Sequence, residues 1–319
     1  MGSKVACRDA YGRALVELGR ENPAVVVLDA DLSASTKTVE FARAFPERFF
    51  NAGIAEQNMM GLAAGLAAAG KVPFASTFAV FASGRAFDQV RMSIAYPGLG
   101  VKIVATHGGL TVGEDGASHQ ALEDLALMRA LPGMTVIVPA DAVETYQAVW
   151  AVAARPGPAY VRVGRSAVPV VFGADYRFEV GRMAVLRQGR DVAIIACGHM
   201  VALGLEAAAE LARRGVEAMV LNASTIKPLD REAVVAAARA TGAVVTAEDH
   251  SVVGGLGGAV AEVLGEEWPT PLIRVGVGDR FGESGPPAGL LEAYGMAVRH
   301  IVEAAVRVKG RAGGRRAPG

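Results

Sequence analysis

The chain reads as α/β, with two consecutive parallel-sheet domains, and three observations predict this. Short runs rich in Val and Ile recur along the sequence, continuous rather than alternating in hydrophobicity. Such runs suit strands covered on both faces, as in a parallel sheet. Amphipathic stretches of helical period separate them. The alternation breaks once, between Ser166 and Arg190, where Pro169, Gly173, Gly181 and Gly189 punctuate the chain and no helical period appears.

In the first series, strands are expected at Ala24–Leu28, Val72–Ser76, Val101–Thr106, Thr135–Val138 and Ala159–Val163. Helices are expected between them, among them Arg8–Gly19, Ala55–Ala69 and Asp141–Ala154. This sets a first domain at residues 1–170 and a connection at 171–189, with an edge hairpin around Glu179–Leu186. The second series has strands at Val192–Cys197, Ala218–Leu221, Ala243–Ala247 and Leu272–Val277, in a domain spanning 190–308. A last helix is expected from Met296 to Val308. The Gly- and Arg-rich stretch Lys309–Gly319 reads as a disordered, solvated basic tail.

A chain of 319 residues suffices for two such domains. With 52% hydrophobic and 20% charged residues it describes a folded protein with a large core. Basic and acidic residues balance at 32 each, so nothing global points to nucleic acid or an anionic membrane. Zero net charge with this apolar content leaves room for an obligate protein interface. The longest apolar run, Met59–Ala69, is broken by Gly61 and Gly65 and is too short to span a bilayer. No secretory signal opens the chain. Cys7 and Cys197 sit in apolar surroundings and read as reduced, buried thiols of a cytoplasmic protein.

No Cys/His cluster has zinc spacing, and no Walker motif or serine nucleophile elbow occurs. Gly254-Gly255-Leu256-Gly257-Gly258 follows a strand and opens a helix, but Val260 stands where the dinucleotide fingerprint needs a glycine. Close helix–strand packing accounts for this turn. Glu248-Asp249-His250, just before it, reads first as a polar cluster capping the turn.

Two segments are richer. In Asn51-Ala52-Gly53-Ile54-Ala55-Glu56-Gln57-Asn58-Met59-Met60-Gly61, one carboxylate begins an otherwise apolar helix. Glu56 there either serves chemistry or answers the positive helix terminus. The second segment is His107-Gly108-Gly109-Leu110-Thr111-Val112-Gly113-Glu114-Asp115-Gly116-Ala117-Ser118-His119-Gln120. It follows a strand, and so lies beyond a carboxyl end, where open α/β sheets bind ligands. Two histidines and two carboxylates on one glycine-rich loop are costly unless hydrogen-bonded or facing a ligand.

In chain order, Ala30-Asp31-Leu32-Ser33, Gly53–Glu56, Ser76-Thr77-Phe78 through Phe81, and Ala105-Thr106-His107 form a series. It continues with Gly113-Glu114-Asp115-Gly116, Ser118-His119-Gln120, Leu131-Pro132 and Pro139-Ala140-Asp141. Together they resemble the transketolase family of thiamine-diphosphate enzymes, over nearly the whole chain. The resemblance implies a thiamine-diphosphate pyrimidine-binding domain followed by a transketolase C-terminal-like domain. The activity implied is transfer of a two-carbon ketol unit from a ketose phosphate, such as xylulose 5-phosphate, to an aldose phosphate.

Position by position, Glu56 matches the family's catalytic glutamate, which would hydrogen-bond a ring nitrogen of the cofactor's aminopyrimidine. Phe78 and Phe81 match the aromatics that pack on that ring. Where the family often has a third, this chain has Gly84. Asp31 matches a position beside the cofactor, although it also suits a helix cap. Arg8, Ser35, His107 and Arg165 match positions that hold a sugar-phosphate, with Arg162 close by as the alternative to Arg165. Asp115 would read a donor hydroxyl, and His119 would sit near the reacting carbons and shuttle protons.

The family's diphosphate-binding signature, Gly-Asp-Gly followed by an Asn, does not occur; Asp279 is followed by Arg280. The chain begins, with its own Met1, close to where the family's pyrimidine-binding domain begins. The resemblance therefore implies a split enzyme. An N-terminal partner subunit would carry the magnesium or calcium and the diphosphate half of the shared cofactor. Two of each chain would form a cytoplasmic heterotetramer. Three rivals stand beside it. A deoxyxylulose-phosphate synthase-like enzyme or a 2-oxo acid dehydrogenase beta subunit would differ in the His107–His119 loop. A non-catalytic scaffold on the same fold would need none of Glu56, His107, Asp115 and His119.

Overall fold

The apolar runs form two main sheets in the computed structural model, which describes residues 3–313. The first part of the chain holds β1 (Lys4–Ala6), β2 (Val25–Asp29), β3 (Phe49–Asn51) and β4 (Val72–Phe78). It continues with β5 (Lys102–Thr106), β6 (Thr135–Ile137), β7 (Ala159–Val163) and β8 (Ala167–Pro169). The second part holds β9 (Ala184–Arg187), β10 (Val192–Ala196), β11 (Ala218–Asn222), β12 (Thr225–Lys227), β13 (Val244–Ser251) and β14 (Leu272–Val277).

The first sheet runs β12-β6-β7-β5-β4-β2-β3, and every pair in it is parallel except β12 on β6. All five residues of β2, β5 and β7 are buried, as expected of strands covered by helices on both faces. The second sheet runs β14-β13-β10-β11-β9, parallel apart from β9. β1 and β8 form a small antiparallel ribbon.

Two features join the halves. β12 leaves its own domain and pairs antiparallel with β6, so the second domain completes the first domain's sheet. One apolar cluster is also continuous from Leu28, Met60, Ile103 and Val136 into Ile195, Leu221, Val234 and Val260. An interface with a shared core of this kind behaves as part of a single body.

Several expectations need correction. No hairpin forms at Glu179–Leu186; β9 alone is a strand, set on the edge of β11. The chain before it spends its amides on side chains. Phe178 donates to Gln147, Gly181 to Thr225 and Met183 to Asp230, which leaves no ladder for a second strand. The last helix runs over Val298–Gly313. The start of the basic stretch, Lys309–Gly313, is therefore helical, and Lys309 pairs with Asp191 at 3.0 Å. The remainder of the tail lies outside the described residues. The short strands β1, β3, β8 and β12 carried too few residues to show a pattern.

The Gly254–Gly258 turn is a close packing device. Glu248 accepts from the amides of Leu256 and Gly257, at 2.6 and 2.7 Å, and so caps the helix Leu256–Glu267. Burial pushes its carboxyl up to about 7 despite those two donors. A Cβ on Gly255 would stand 2.0 Å from the same carboxylate. Cys7 and Cys197 are free and buried; burial pushes the Cys7 thiol up to about 12.

Asp141 is fully buried and serves three amides. It caps the helix Ala142–Ala154 through Glu144, at 2.9 Å, and pins the connection through Val171 and Phe172, at 2.8 and 2.9 Å. Asp141→Ala is expected to lower stability by about 2 kcal/mol in urea unfolding. A loss below about 0.5 kcal/mol would mean that water replaces all three acceptor contacts.

Candidate active site

Loops that follow parallel strands converge at one edge of the sheet, and the site residues collect there. Asp31 lies two residues past β2, and Ser35 is in the short helix Ser33–Thr36 beyond it. Glu56 opens the helix Glu56–Ala68 after β3. Phe78 ends β4, and Phe81 begins a π-helical turn, Phe81–Arg85. His107 follows β5 directly, and Leu110–Asp115 continue as 3-10 turns. Arg165 lies two residues past β7. Arg8 is in the first turn of the helix Cys7–Glu21 and reaches this edge by donating to the Ser35 carbonyl at 3.0 Å.

Asp31, Glu56, Phe81, Arg85 and His119 line one cleft of about 390 Å³. Glu56 is 1% exposed at its inner end. Arg85 Nη1 donates to both carboxylate oxygens at 2.9 Å, while its guanidinium carbon stands 4.4 Å from the Phe81 ring centre. His119 meets Phe81 edge-on at 5.4 Å between ring centres and bonds Ser118 at 3.0 Å. Asp31 has a positive φ of 64° and is held by Asn51, which donates to its carboxylate at 3.0 Å. It is no helix cap: Asp29 accepts from the Leu32 amide at 2.6 Å, and Thr36 and Thr38 complete that buried carboxylate's shell.

Deeper along the same edge, the His107 ring stacks on Phe78 at 3.8 Å, and Thr106 Oγ1 is 2.9 Å from its Nδ1. Burial, then the charges of Arg8 and Arg165 with His119 beyond them, hold His107 down at about 3. His107 is thus a neutral ring between cations. Arg8 Nε is buried and has no hydrogen-bond partner among the described residues. Arg165 donates to the Val112 carbonyl and lies 3.6 Å from both Glu114 and Asp115. Two arginines around a neutral imidazole suit an anionic ligand.

Arg162 is not part of this group. It is 5% exposed and turned away, bonded to backbone carbonyls of both domains. Gly84 leaves open space, with nothing near the place a side chain would begin. The Phe81 ring is covered by the Arg85 guanidinium.

Two family models match the chain: "Transketolase, pyrimidine binding domain" over residues 3–171 and "Transketolase, C-terminal domain" over residues 181–301. The chain belongs to the transketolase family. A protein of Methanocaldococcus jannaschii named as a transketolase C-terminal section is 50% identical over 292 residues, covering 91% of this chain and 92% of that one. A 6-deoxy-6-sulfo-D-fructose transketolase subunit of a Clostridium species is 47% identical, covering 94% of each. Among solved structures, a split-gene transketolase, described as an inactive β4 tetramer, superposes with a TM-score of 0.90 at 61% identity. That match covers 96% of this chain and 99% of the other.

As a transketolase-family chain, its first sheet belongs to the pyrimidine-binding domain and its second to the C-terminal domain. All ten residues that the sequence singled out lie along one edge of the first sheet. Two neighbours were not singled out for the site. Arg85 falls at i, i+3, i+7 with Phe78 and Phe81, a spacing that puts it on their face if the segment is helical. Asp249 reads from sequence first as a turn residue with a functional role left open, because nothing in a sequence shows that it meets a loop 138 residues away.

His107 makes the site pH-sensitive in a defined direction. Its ordinary value is 6.5, and the folded value is depressed to about 3. Between these the unfolded chain binds a proton that the folded chain excludes, so stability falls as pH drops from 6.5. The slope is at most about 1.4 kcal/mol per pH unit. An NMR titration should show His107 neutral down to pH ~5. His107→Asn should flatten the acid limb by up to one proton, and an unchanged limb would assign the dependence to other groups.

Proposed function

We propose that this chain is the pyrimidine-binding half of a split transketolase, acting with a partner chain that carries the diphosphate-binding domain. The observation that carries the proposal is Glu56, a buried carboxylate beside an aromatic face in a cleft of about 390 Å³, with room for a heteroaromatic ring. The residues present fit the pyrimidine end of thiamine diphosphate. Phe81 offers a flat apolar face, and Glu56 a carboxylate to hold a proton against a ring nitrogen. When bound, the cofactor supplies the nucleophilic carbon that accepts and passes on a two-carbon unit.

The chain's own residues do the rest. Arg8 and Arg165, with Ser35 and neutral His107, hold the substrate's anionic group, and the unpartnered Arg8 Nε gives that group a buried donor. Asp115 accepts from a donor hydroxyl. His119 lies against both the Glu56 cleft and the phenylalanines, where it exchanges protons with substrate oxygens. A magnesium or calcium ion and the diphosphate belong to the partner chain. The 61%-identical relative described as an inactive β4 tetramer supports the reading that such chains self-associate and need a partner for activity. Two of each chain in a heterotetramer, and a cytoplasmic setting suited to free thiols, complete the proposal.

The donor is proposed to be a ketose phosphate such as xylulose 5-phosphate. The sulfofructose-processing relative supports a second reading, a sulfonated ketose, since two arginines accept either anion. Rates with the two donors, measured with the partner present, separate these readings; turnover of pyruvate alone would point to a different thiamine enzyme.

The isolated chain is expected neither to bind thiamine diphosphate tightly nor to turn over substrate. Activity of the chain alone would end the split reading. Glu56→Gln in the reconstituted pair should lower kcat at least about 100-fold with little change in melting temperature. Near-normal activity in that variant would remove Glu56 from its role.

Arg85 gives a further test. Its guanidinium occupies the Phe81 face and the Glu56 carboxylate that the pyrimidine ring needs, so it must swing away on cofactor binding. Arg85→Ala should tighten thiamine diphosphate binding about three- to tenfold by removing that competition. Weaker binding would mean instead that Arg85 supports the cofactor.

A further inference from the structure

We propose that Asp249, in the second domain, is the residue that positions the donor-reading loop of the first; the proposal rests on the role given to Asp115 above. Asp249 is 4% exposed at the end of β13. Oδ1 accepts from the Leu110 amide at 2.8 Å. Oδ2 accepts from Thr111 twice, from the amide at 3.3 Å and from the hydroxyl at 2.7 Å. One carboxylate thus satisfies the first turn of the segment Leu110–Asp115, four residues before Asp115 and three after His107.

The backbone is shaped for this contact. Gly109 has φ 85°, and a Cβ there would stand 2.2 Å from the Asp249 carboxylate. No other residue type permits that approach without strain. Arg162 Nη1 donates to the Asp249 carbonyl at 2.8 Å, which holds the tether from behind. The far end of the loop is also held by the second domain, where Gln120 donates to the Glu283 carbonyl at 3.0 Å.

Without the carboxylate the loop has somewhere to go. A cavity of about 520 Å³ between the domains is bordered by Gly108, Thr111, Cys197, His199 and Asp249. Thr111 released from Asp249 can turn into that space and carry Val112–Asp115 with it. Arg165 would follow, because it is bonded to Val112. Of the residues of the Glu56 cleft, Asp31, Glu56, Phe81 and Arg85 stand on other elements, and His119 stands at the loop's far end beside Gln120, which Glu283 holds, so the expected defect falls on the donor sugar and not on the cofactor.

Asp249→Asn keeps one oxygen for Leu110 but turns an amide donor toward the Thr111 amide. Thr111→Val is the milder second variant, since it removes only the hydroxyl contact. In the reconstituted two-chain enzyme, Asp249→Asn should raise KM for the ketose donor about tenfold, as a loop competent one time in ten requires. kcat should fall less than twofold, and thiamine diphosphate affinity should stay within about twofold. Thr111→Val should shift KM the same way by about threefold. The double variant should be no worse than Asp249→Asn alone.

Hydrogen exchange supplies a readout independent of activity. In the full-length chain, Asp249→Asn should speed exchange across residues 110–116 at least tenfold and leave 57–68 unchanged. Unchanged exchange in the loop would overturn the tether itself. Faster loop exchange with an unchanged donor KM would overturn the positioning role. A fall in cofactor affinity in step with KM would also overturn it, by making Asp249 a general stabiliser. Faster loop exchange in a pair whose unmodified form lacks transketolase activity would leave the tether standing and count against the assigned reaction.

Discussion

The structure depends on one buried guanidinium. Arg162 sits on β7, and its side chain crosses beneath the site to the second domain. It donates to the Asp249 carbonyl and to the Ala121 carbonyl, each at 2.8 Å, and its Nε lies 2.9 Å from Asp124. Tyr160 donates to the same Asp124 carboxylate at 2.7 Å. A buried cation is tolerable only when it is paired, and here the partners come from two separate stretches of chain, 121–124 and the end of β13, besides β7 itself. Each stretch is therefore held relative to the others. Gly108 lies directly over the guanidinium, because a Cβ there would be 2.1 Å from Nε. The loop that begins at His107 thus rests on this pair of charges.

From that anchor the rest of the site follows by topology. Parallel strands send their following loops to one edge, so residues far apart in sequence meet without special long-range design. Asp31, Glu56, Phe78, His107 and Arg165 come from five different strand ends or the helices behind them. The edge divides into two chemical zones. Around Glu56 it is aromatic and carries a buried acid; around His107 it is cationic with a neutral imidazole between the charges. A ligand with a flat heteroaromatic ring and a second one with an anionic end suit these zones in turn. The cleft at Glu56 is bordered by Ile54, 79% exposed, which leaves an apolar rim at its open side.

Much of this was legible in the residues. Continuous apolar runs located β2, β4, β5, β7, β10, β11 and β13 to within a few positions, because strands buried on both faces have no polar alternation to confuse them; the edge strand β14, which alternates in burial, was located by its apolar content alone. The glycine-rich loop at His107 announced itself by polarity that no core would tolerate unpaired. What was not legible has a physical cause in each case. β3 and β12 are three residues long, too short for periodicity. The hairpin expected at Glu179–Leu186 fails because its amides bond side chains from other segments. Arg85 belongs to no motif, and only its approach to Glu56 gives it a place in the site.

The sequence by itself determined the family, the two-domain order and a set of candidate site residues that the fold brings to one edge. These reside in local motifs, where a few residue types at fixed spacing are enough. Only the tertiary structure decided which of Arg162 and Arg165 faces the site and that Arg85 closes on Glu56. It alone also decided that a carboxylate from the second domain holds the first domain's loop. Those are contacts between residues 29 to 139 positions apart. No local pattern encodes them, because burial and hydrogen-bond partnership are properties of the packed chain and not of the segment.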